Sequence, residues 1–180
     1  QVVELAFMGL VAAWEEFLEQ ALVRYVAGAG ANNMYKPTPK YGLARNISHA
    51  YEILSRDPSY DPQKHYLKVT DTKWVRTNAD FFFSSHSFSA LEQKADLLSH
   101  ASSIRNRVAH SSEKCRTDFK ATALHFLQPA SGKLTQGYAP GDLLQSPVQR
   151  HFGQPVVQAG LTHFEAYAKL YAELAGKIVP

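Results

Sequence analysis

The stretch VVELAFMGLVAAWEEFLEQALVRYVA, residues 2–27, decides the fold class. Its large apolar side chains recur at intervals of three and four residues, which is the spacing of one face of an α-helix. They include Val3, Phe7, Leu10, Trp14, Phe17 and Ala21. Polar residues such as Glu4 and Arg24 lie between them, and Gly28-Ala29-Gly30 ends the pattern. The stretch therefore predicts one long amphipathic helix.

The same spacing recurs along the rest of the chain. It predicts further helices at residues 41–55, 72–82, 89–108, 113–127, 142–150 and 156–178. Phe81-Phe82-Phe83 fits either the end of the helix at 72–82 or an extended segment. The chain is therefore predicted to be all-α, a bundle of four to five long helices with short accessory helices.

Residues 129–155 differ from the rest of the chain because Pro and Gly are frequent there. Pairs such as Pro140-Gly141 mark turns and interrupt helices. We expect a Pro/Gly-rich surface excursion that holds only the short helix at 142–150. At 180 residues the chain is long enough for one well-buried core, so residues 1–180 are predicted to form a single domain.

The composition is that of an ordinary globular protein. Hydrophobic residues make up 45% and charged residues 19%, which excludes a disordered chain. The one cysteine, Cys115, excludes an internal disulfide and suits a reducing compartment. The longest apolar run, from Leu5 to Trp14, is far shorter than the roughly 20 residues of a membrane helix. Because no export signal is recognisable either, we expect a cytoplasmic protein that is not bound to a membrane.

Arg105-Asn106-Arg107-Val108-Ala109-His110 is the stretch that indicates a chemistry. An Arg guanidinium binds phosphate through two parallel hydrogen bonds, and a His transfers protons near neutral pH. Together the two residue types can hold and cleave a phosphodiester. The alternative is a structural Arg that binds backbone carbonyl groups beside an ordinary surface His.

Positive charge is concentrated in and directly after this stretch. Between residues 105 and 120, five basic residues stand against Glu113 and Asp118, so the segment carries the same net charge of +3 as the whole chain. The basic residues are Arg105, Arg107, Lys114, Arg116 and Lys120. Such a patch attracts an RNA backbone. A solvated helix face is the alternative interpretation.

The spacing of Arg105 and His110 raises a geometric problem. On a regular helix the two residues lie about 140° apart around the axis, so they cannot both reach one phosphate. The helix can end near Val108, so that the chain turns His110 back and Ser111 or Ser112 caps the next helix. Alternatively, two chains meet across a twofold axis and pool their motifs in one cleft. We expect both arrangements.

Arg105-Asn106-x-x-x-His110, placed after a helix in an α-helical chain, resembles the signature of the HEPN superfamily. Trp14-Glu15-Glu16-Phe17-Leu18 and Pro140-Gly141-Asp142-Leu143-Leu144 are similar to segments of its bacterial stand-alone members, which are linked to toxin systems and phage defence. The resemblance implies a HEPN-like bundle and a homodimeric, metal-independent endoribonuclease without a cofactor. Two copies of the motif would line a positively charged cleft.

The resemblance also implies a role for each motif residue. Arg105 would stabilise the pentacoordinate phosphate, Asn106 would orient the neighbouring groups, and His110 would act as general acid or base. The 2′-hydroxyl of the RNA would be the nucleophile and a 2′,3′-cyclic phosphate the product. The RNA-binding residues would be Arg107, Lys114, Arg116 and Lys120.

A toxin or anti-phage defence effector with an antitoxin or a defence-system partner is the biological role that the resemblance implies. Some toxin members carry a Tyr two positions after the His, which a partner nucleotidyltransferase modifies. Ser112 stands at that position here, so silencing by that route is not expected.

Two further functions fit the same residues. One is a non-catalytic HEPN module that binds RNA or a partner protein, and the other is a helical dimerisation domain in which Arg105 is structural. A second stretch, Arg45-Asn46-Ile47-Ser48-His49, has one residue fewer and is interpreted as an ordinary surface pair on the helix at 41–55. The His residues do not lie at metal-ligand spacings, so no metal site is predicted.

Overall fold

The computed structural model describes residues 1–149, 152 and 157–180. The helices in this part are α1 (Val2–Val26), α2 (Ile47–Ser55), α3 (Thr72–Phe82), α4 (Ala95–Ala109), α5 (Glu113–Leu127), α6 (Pro140–Gln145) and α7 (His163–Ile178). A 3₁₀ helix spans Ser87–Lys94, and the strands β1 (Thr38–Pro39) and β2 (Phe83–Ser85) form a short antiparallel pair. The chain is mostly helical, which confirms the all-α class.

The predicted helices at 72–82 and 113–127 have the bounds of α3 and α5. The run of three Phe residues is divided between two elements, because α3 ends at Phe82 and β2 begins at Phe83. α4 is shorter than predicted at its start, since residues 87–94 form the 3₁₀ helix instead.

The start of α2 corrects the prediction of a helix from residue 41. Asn46 caps the helix, and its Oδ1 accepts a hydrogen bond from the amide of His49 at 2.9 Å. An Asn at this position satisfies an amide that has no partner inside the helix. The helix therefore begins at Ile47.

The last two predicted helices differ most from the structure. α6 begins at Pro140, a residue type that suits the first turn of a helix, and ends at Gln145. α7 begins at His163, seven residues after the predicted start. Arg150 and Val156, the predicted end and start of these helices, lie outside the described residues.

The chain divides into two compact units. Unit 1 comprises residues 1–12 and 96–172, and unit 2 comprises residues 13–95 and 173–180. The single domain predicted for residues 1–180 stays a prediction.

Unit 1 has a core that includes part of the predicted surface excursion. Tyr167 is fully buried, packs edge-on against Phe7 and donates its hydroxyl to the carbonyl of Leu97 at 3.0 Å. Leu143 and Leu144 of α6 are also fully buried. The surface assignment is therefore wrong for α6, whose apolar side chains lie in the core; residues 150, 151 and 153–155 of the excursion lie outside the described residues.

Unit 2 has an aromatic core around the end of α7. The hydroxyl of Tyr25 donates to the carbonyl of Ile178 at 2.9 Å, and Ser87 Oγ donates to the same carbonyl at 2.6 Å. Phe88 is fully buried against the ring of Tyr25. These bonds supply partners for a carbonyl oxygen in the last turn of α7, which the helix itself leaves without one.

Within the residues that the structure describes, no helix is both long and apolar enough to cross a lipid bilayer.

Candidate functional site

The motif of residues 105–110 occupies the last turn of α4. The helix ends at Ala109, and the amide of His110 still donates to the carbonyl of Asn106 at 2.9 Å. The backbone therefore keeps helical geometry up to that amide, which leaves the Cα atoms of Arg105 and His110 about 140° apart around the axis. The helix ends close to the predicted residue, but its end does not by itself turn His110 back toward Arg105.

Ser112 closes the turn that follows the motif. It is the N-cap of α5, and its Oγ accepts a hydrogen bond from the amide of Cys115 at 3.3 Å. Of the two predicted candidates, Ser111 and Ser112, the structure has Ser112 as the cap. His110 is exposed in the turn, so its imidazole is accessible to solvent and to a ligand.

Arg105 is half-buried beside Ile104, which is fully buried in the core. Its Nη1 donates to the side-chain oxygen of Asn106 at 3.0 Å. A guanidinium is planar and carries five N–H donors, and this bond uses one of them. The first two residues of the motif thus form one polar unit at the border of the core.

Arg107 connects the motif to a neighbouring groove. Its Nη1 donates to the carbonyl of His110 at 3.2 Å, which holds the turn against the end of α4. The same residue lines a groove of about 390 Å³ in unit 1. Arg107 therefore links the end of α4 to the groove, whereas Arg105 and His110 are not among the residues that line it.

Four cationic residues line this groove, which is called the cationic groove below. They are Arg107, Arg116, Lys120 and Lys133. Phe119 and Tyr138 add aromatic rings, and no Asp or Glu is among the lining residues. Phe119 is buried, so the positive charge is the property by which this groove would attract the phosphate backbone of a nucleic acid.

The four predicted RNA-binding residues do not share one environment. Lys114 does not line the groove and pairs with Asp118 at 2.6 Å, a hydrogen bond that raises the pKa of Lys114. Arg116 lines the groove and also lies 3.7 Å from the carboxylate of Glu113. Lys120 lines the groove without an ion pair to any described residue. Lys120 and Arg107 are therefore the predicted residues most available to an anion.

Lys133 and Tyr138 are groove residues that the sequence analysis missed. Both belong to the segment between α5 and α6, which was predicted as surface. The ring of Tyr138 lies nearly parallel to that of Phe119 at 6.5 Å, so the segment packs against α5. Burial raises the pKa of Tyr138 above its ordinary value of 10.0. The composition of the segment carried no signal for this contact beyond its aromatic and basic residues.

The second Arg-Asn…His stretch is a helix cap. Asn46 Oδ1 accepts a hydrogen bond from the backbone amide of His49. His49 Nδ1 in turn accepts a hydrogen bond from the backbone amide of Arg45 at 3.1 Å. Arg45 precedes α2, so the expected pair on a shared helix face is wrong. The stretch has a local structural role in starting the helix.

In the described ranges 1–149, 152 and 157–180, no group of three or more His, Cys, Asp or Glu residues is arranged to hold a metal ion. Comparisons of the chain with known protein families, with curated proteins and with solved structures found no match.

Proposed function

We propose that this chain is a metal-independent endoribonuclease of HEPN type, which acts as a homodimer with a composite Arg/His site. The observation that carries the proposal is the position of Arg107, which both lines the cationic groove and donates to the backbone carbonyl of His110. An RNA strand attracted by the groove is thereby led to the end of α4.

The chemistry follows from the two motif side chains. Arg105, oriented by Asn106, stabilises the negative charge that develops on the phosphate. His110 accepts the proton of the 2′-hydroxyl, whose oxygen attacks the adjacent phosphorus. The bond from phosphorus to the 5′-oxygen breaks, and that oxygen takes up a proton from a second acid. The products are a 2′,3′-cyclic phosphate and a 5′-hydroxyl end.

The proposed site needs two chains because Arg105 and His110 of one chain point in different directions around the axis of α4. Helical backbone up to His110 leaves Arg105 and His110 on different sides of α4. In a symmetric dimer, the Arg105 of one copy and the His110 of the other can meet in one cleft. His110 of the partner subunit is then the group that takes the proton of the 2′-hydroxyl in that cleft.

The decisive experiment measures cleavage of a defined single-stranded RNA in the presence of EDTA. We expect wild-type protein to release fragments with 2′,3′-cyclic phosphate ends, and Arg105→Ala and His110→Ala to lose at least about 100-fold in rate. The matched control is the double variant Arg45→Ala/His49→Ala, which alters the other Arg-Asn…His stretch and retains activity. Equal cutting by wild-type protein and both motif variants would refute the proposal.

A non-catalytic HEPN module that binds RNA is the second candidate. The observation that favours it is the cationic groove itself, which accounts for binding without any catalytic step. Salt-dependent binding of several RNAs, without cleavage of any, identifies this function. As an active enzyme, the chain would act in the cytoplasm as a toxin or phage-defence effector, restrained by an antitoxin or another defence-system partner.

A further inference from the structure

A second cavity lies in unit 2, between the end of α2 and the start of α3. Its volume is about 450 Å³, within the range of about 300–1,000 Å³ that small-molecule sites occupy. The residues that characterise it are Arg56, Tyr60, His65, Tyr66, Lys68 and Trp74. All of them lie outside the motif and outside the cationic groove.

The charge of this cavity favours an anion. Arg56 and Lys68 form no ion pair with any described residue. Asp57 is the acidic residue in the lining, and its carboxylate already accepts hydrogen bonds from the amide and the hydroxyl of Ser59 at 2.9 and 2.7 Å. These bonds lower the pKa of Asp57, so it stays charged but has partners of its own. The two unpaired cations are left to bind a negative group.

The rings of the cavity favour a flat ligand. Tyr66 is 88% exposed, so its ring is open to solvent, and Trp74 is half-buried. Tyr60 stacks on Tyr51 with ring centroids 5.7 Å apart and also contacts the ring of His65. A ring that enters the cavity therefore meets aromatic surfaces, on which stacking is favourable.

The hydroxyl of Tyr60, a residue of the cavity lining, has an unused capacity for hydrogen bonding. It is buried and has no hydrogen-bond partner among the described residues. The neighbouring Tyr51 hydroxyl donates to Glu19 at 2.9 Å, so the two stacked tyrosines differ in this respect. A buried donor without an acceptor is costly, and native proteins rarely retain one unless a ligand or an ordered water supplies the acceptor.

We propose that this cavity binds a small molecule that carries a flat aromatic ring and an anionic group. The anionic group lies against Arg56 and Lys68, and the ring lies against Tyr66 and Trp74. The exposed position of Tyr66 allows it to close over the ligand without loss of core packing. Mononucleotides and aromatic carboxylates share this chemistry, and the experiment distinguishes the two.

The test uses isothermal titration calorimetry of the full chain with adenosine monophosphate, uridine monophosphate and anthranilate as probes. The controls are adenosine, which has the ring without the anionic group, and inorganic phosphate, which has the anionic group without the ring. We expect at least one ring-bearing anion to bind with 1:1 stoichiometry and at least about fivefold more tightly than either part. The preferred probe identifies the nucleotide or the carboxylate as the ligand type.

Variants connect the binding to this cavity. Tyr66→Ala and Lys68→Gln alter exposed side chains, so folding is retained. Each variant should lower the affinity for the preferred probe by at least about fivefold. Lys64→Gln is the matched control, because Lys64 pairs with Asp61 at 3.2 Å and does not line the cavity. Absence of binding by all three probes overturns the proposal, and so does binding that Tyr66→Ala and Lys68→Gln leave unchanged.

Discussion

At the scale of single residues, the basic side chains around the motif have the same charge but differ in whether a carboxylate already pairs with them. Lys114 and Lys120 have the same charge and lie on the same helix, yet Lys114 is paired with Asp118 and Lys120 faces the cationic groove. An anion that approaches Lys114 must compete with a carboxylate at 2.6 Å. The positive charge counted in the sequence is therefore larger than the charge that is available to an anionic ligand.

This difference predicts which lysines bind RNA. Lys120→Ala and Lys133→Ala should each weaken binding of a non-cleavable, 2′-O-methylated RNA strand and reduce the slope of log affinity against log salt by about 0.7. Lys114→Ala is the control from the same segment and should leave both quantities nearly unchanged. Fluorescence anisotropy over a range of salt concentrations measures them. An equal loss of affinity in all three variants would mean that RNA responds to the overall positive charge and not to the residues that line the groove.

At the scale of elements, the ends of helices were harder to predict than their apolar faces. α1 was recognisable because its apolar residues repeat over many turns, and each repeat adds to the same signal. The start of α7 depends on one residue, Thr162, which precedes the helix. Thr162 and Glu165 form two reciprocal hydrogen bonds. The Glu165 carboxylate accepts one from the Thr162 amide at 2.8 Å, and Thr162 Oγ1 accepts the other from the Glu165 amide at 3.3 Å. The Thr-x-x-Glu spacing of this capping box was visible in the sequence and would have given the correct start.

The capping box predicts a specific loss of stability. Thr162→Ala should lower the free energy of unfolding by about 1 kcal/mol, because the amide of Glu165 loses its acceptor and the Glu165 carboxylate loses the hydroxyl donor. Thr162→Ser is the control and should retain most of the stability, since it keeps the hydroxyl. Chemical denaturation followed by circular dichroism measures both. A Thr162→Ala protein as stable as wild type would show that the box does not stabilise α7.

The same box predicts a dependence on pH. Hydrogen bonds from the amide and hydroxyl of Thr162 lower the pKa of Glu165 below its ordinary value of 4.5. A carboxylate with a lowered folded-state pKa stabilises the fold above its unfolded pKa, and this stabilisation is lost as the pH falls through the folded pKa. Glu165→Gln should therefore reduce the stability difference between pH 6 and pH 3. Denaturation curves at the two pH values test this, and an undiminished difference would contradict it.

At the scale of the whole molecule, the proposed enzyme depends on the association of two chains. The angle between Arg105 and His110 is set by the regular geometry of α4, and neither side chain alone supplies both charge stabilisation and proton transfer. A composite site makes catalysis conditional on dimerisation, and therefore on protein concentration.

Mixing two inactive variants tests this dependence. Arg105→Ala and His110→Ala should each be inactive, but mixed dimers contain one native Arg105 and one native His110 on different chains and should regain part of the cleavage activity. In the control, each variant is assayed alone at the total protein concentration of the mixture. If the mixture cleaves RNA no faster than the separate variants, although chain exchange is demonstrated, the site is not shared between chains.

The amino-acid sequence by itself determined the helical class, the position of the motif at the end of a helix and a Ser cap, at Ser111 or Ser112, for the helix that follows. These features depend on residues that are close along the chain, where apolar spacing and capping act directly. Tertiary structure alone decided which charges face the cationic groove and which residues complete it. Lys133 and Tyr138 enter the groove because their segment packs against α5, and the burial of Leu143 and Leu144 brings the following helix into the core. Such contacts join residues that are distant in sequence, and no local pattern encodes them.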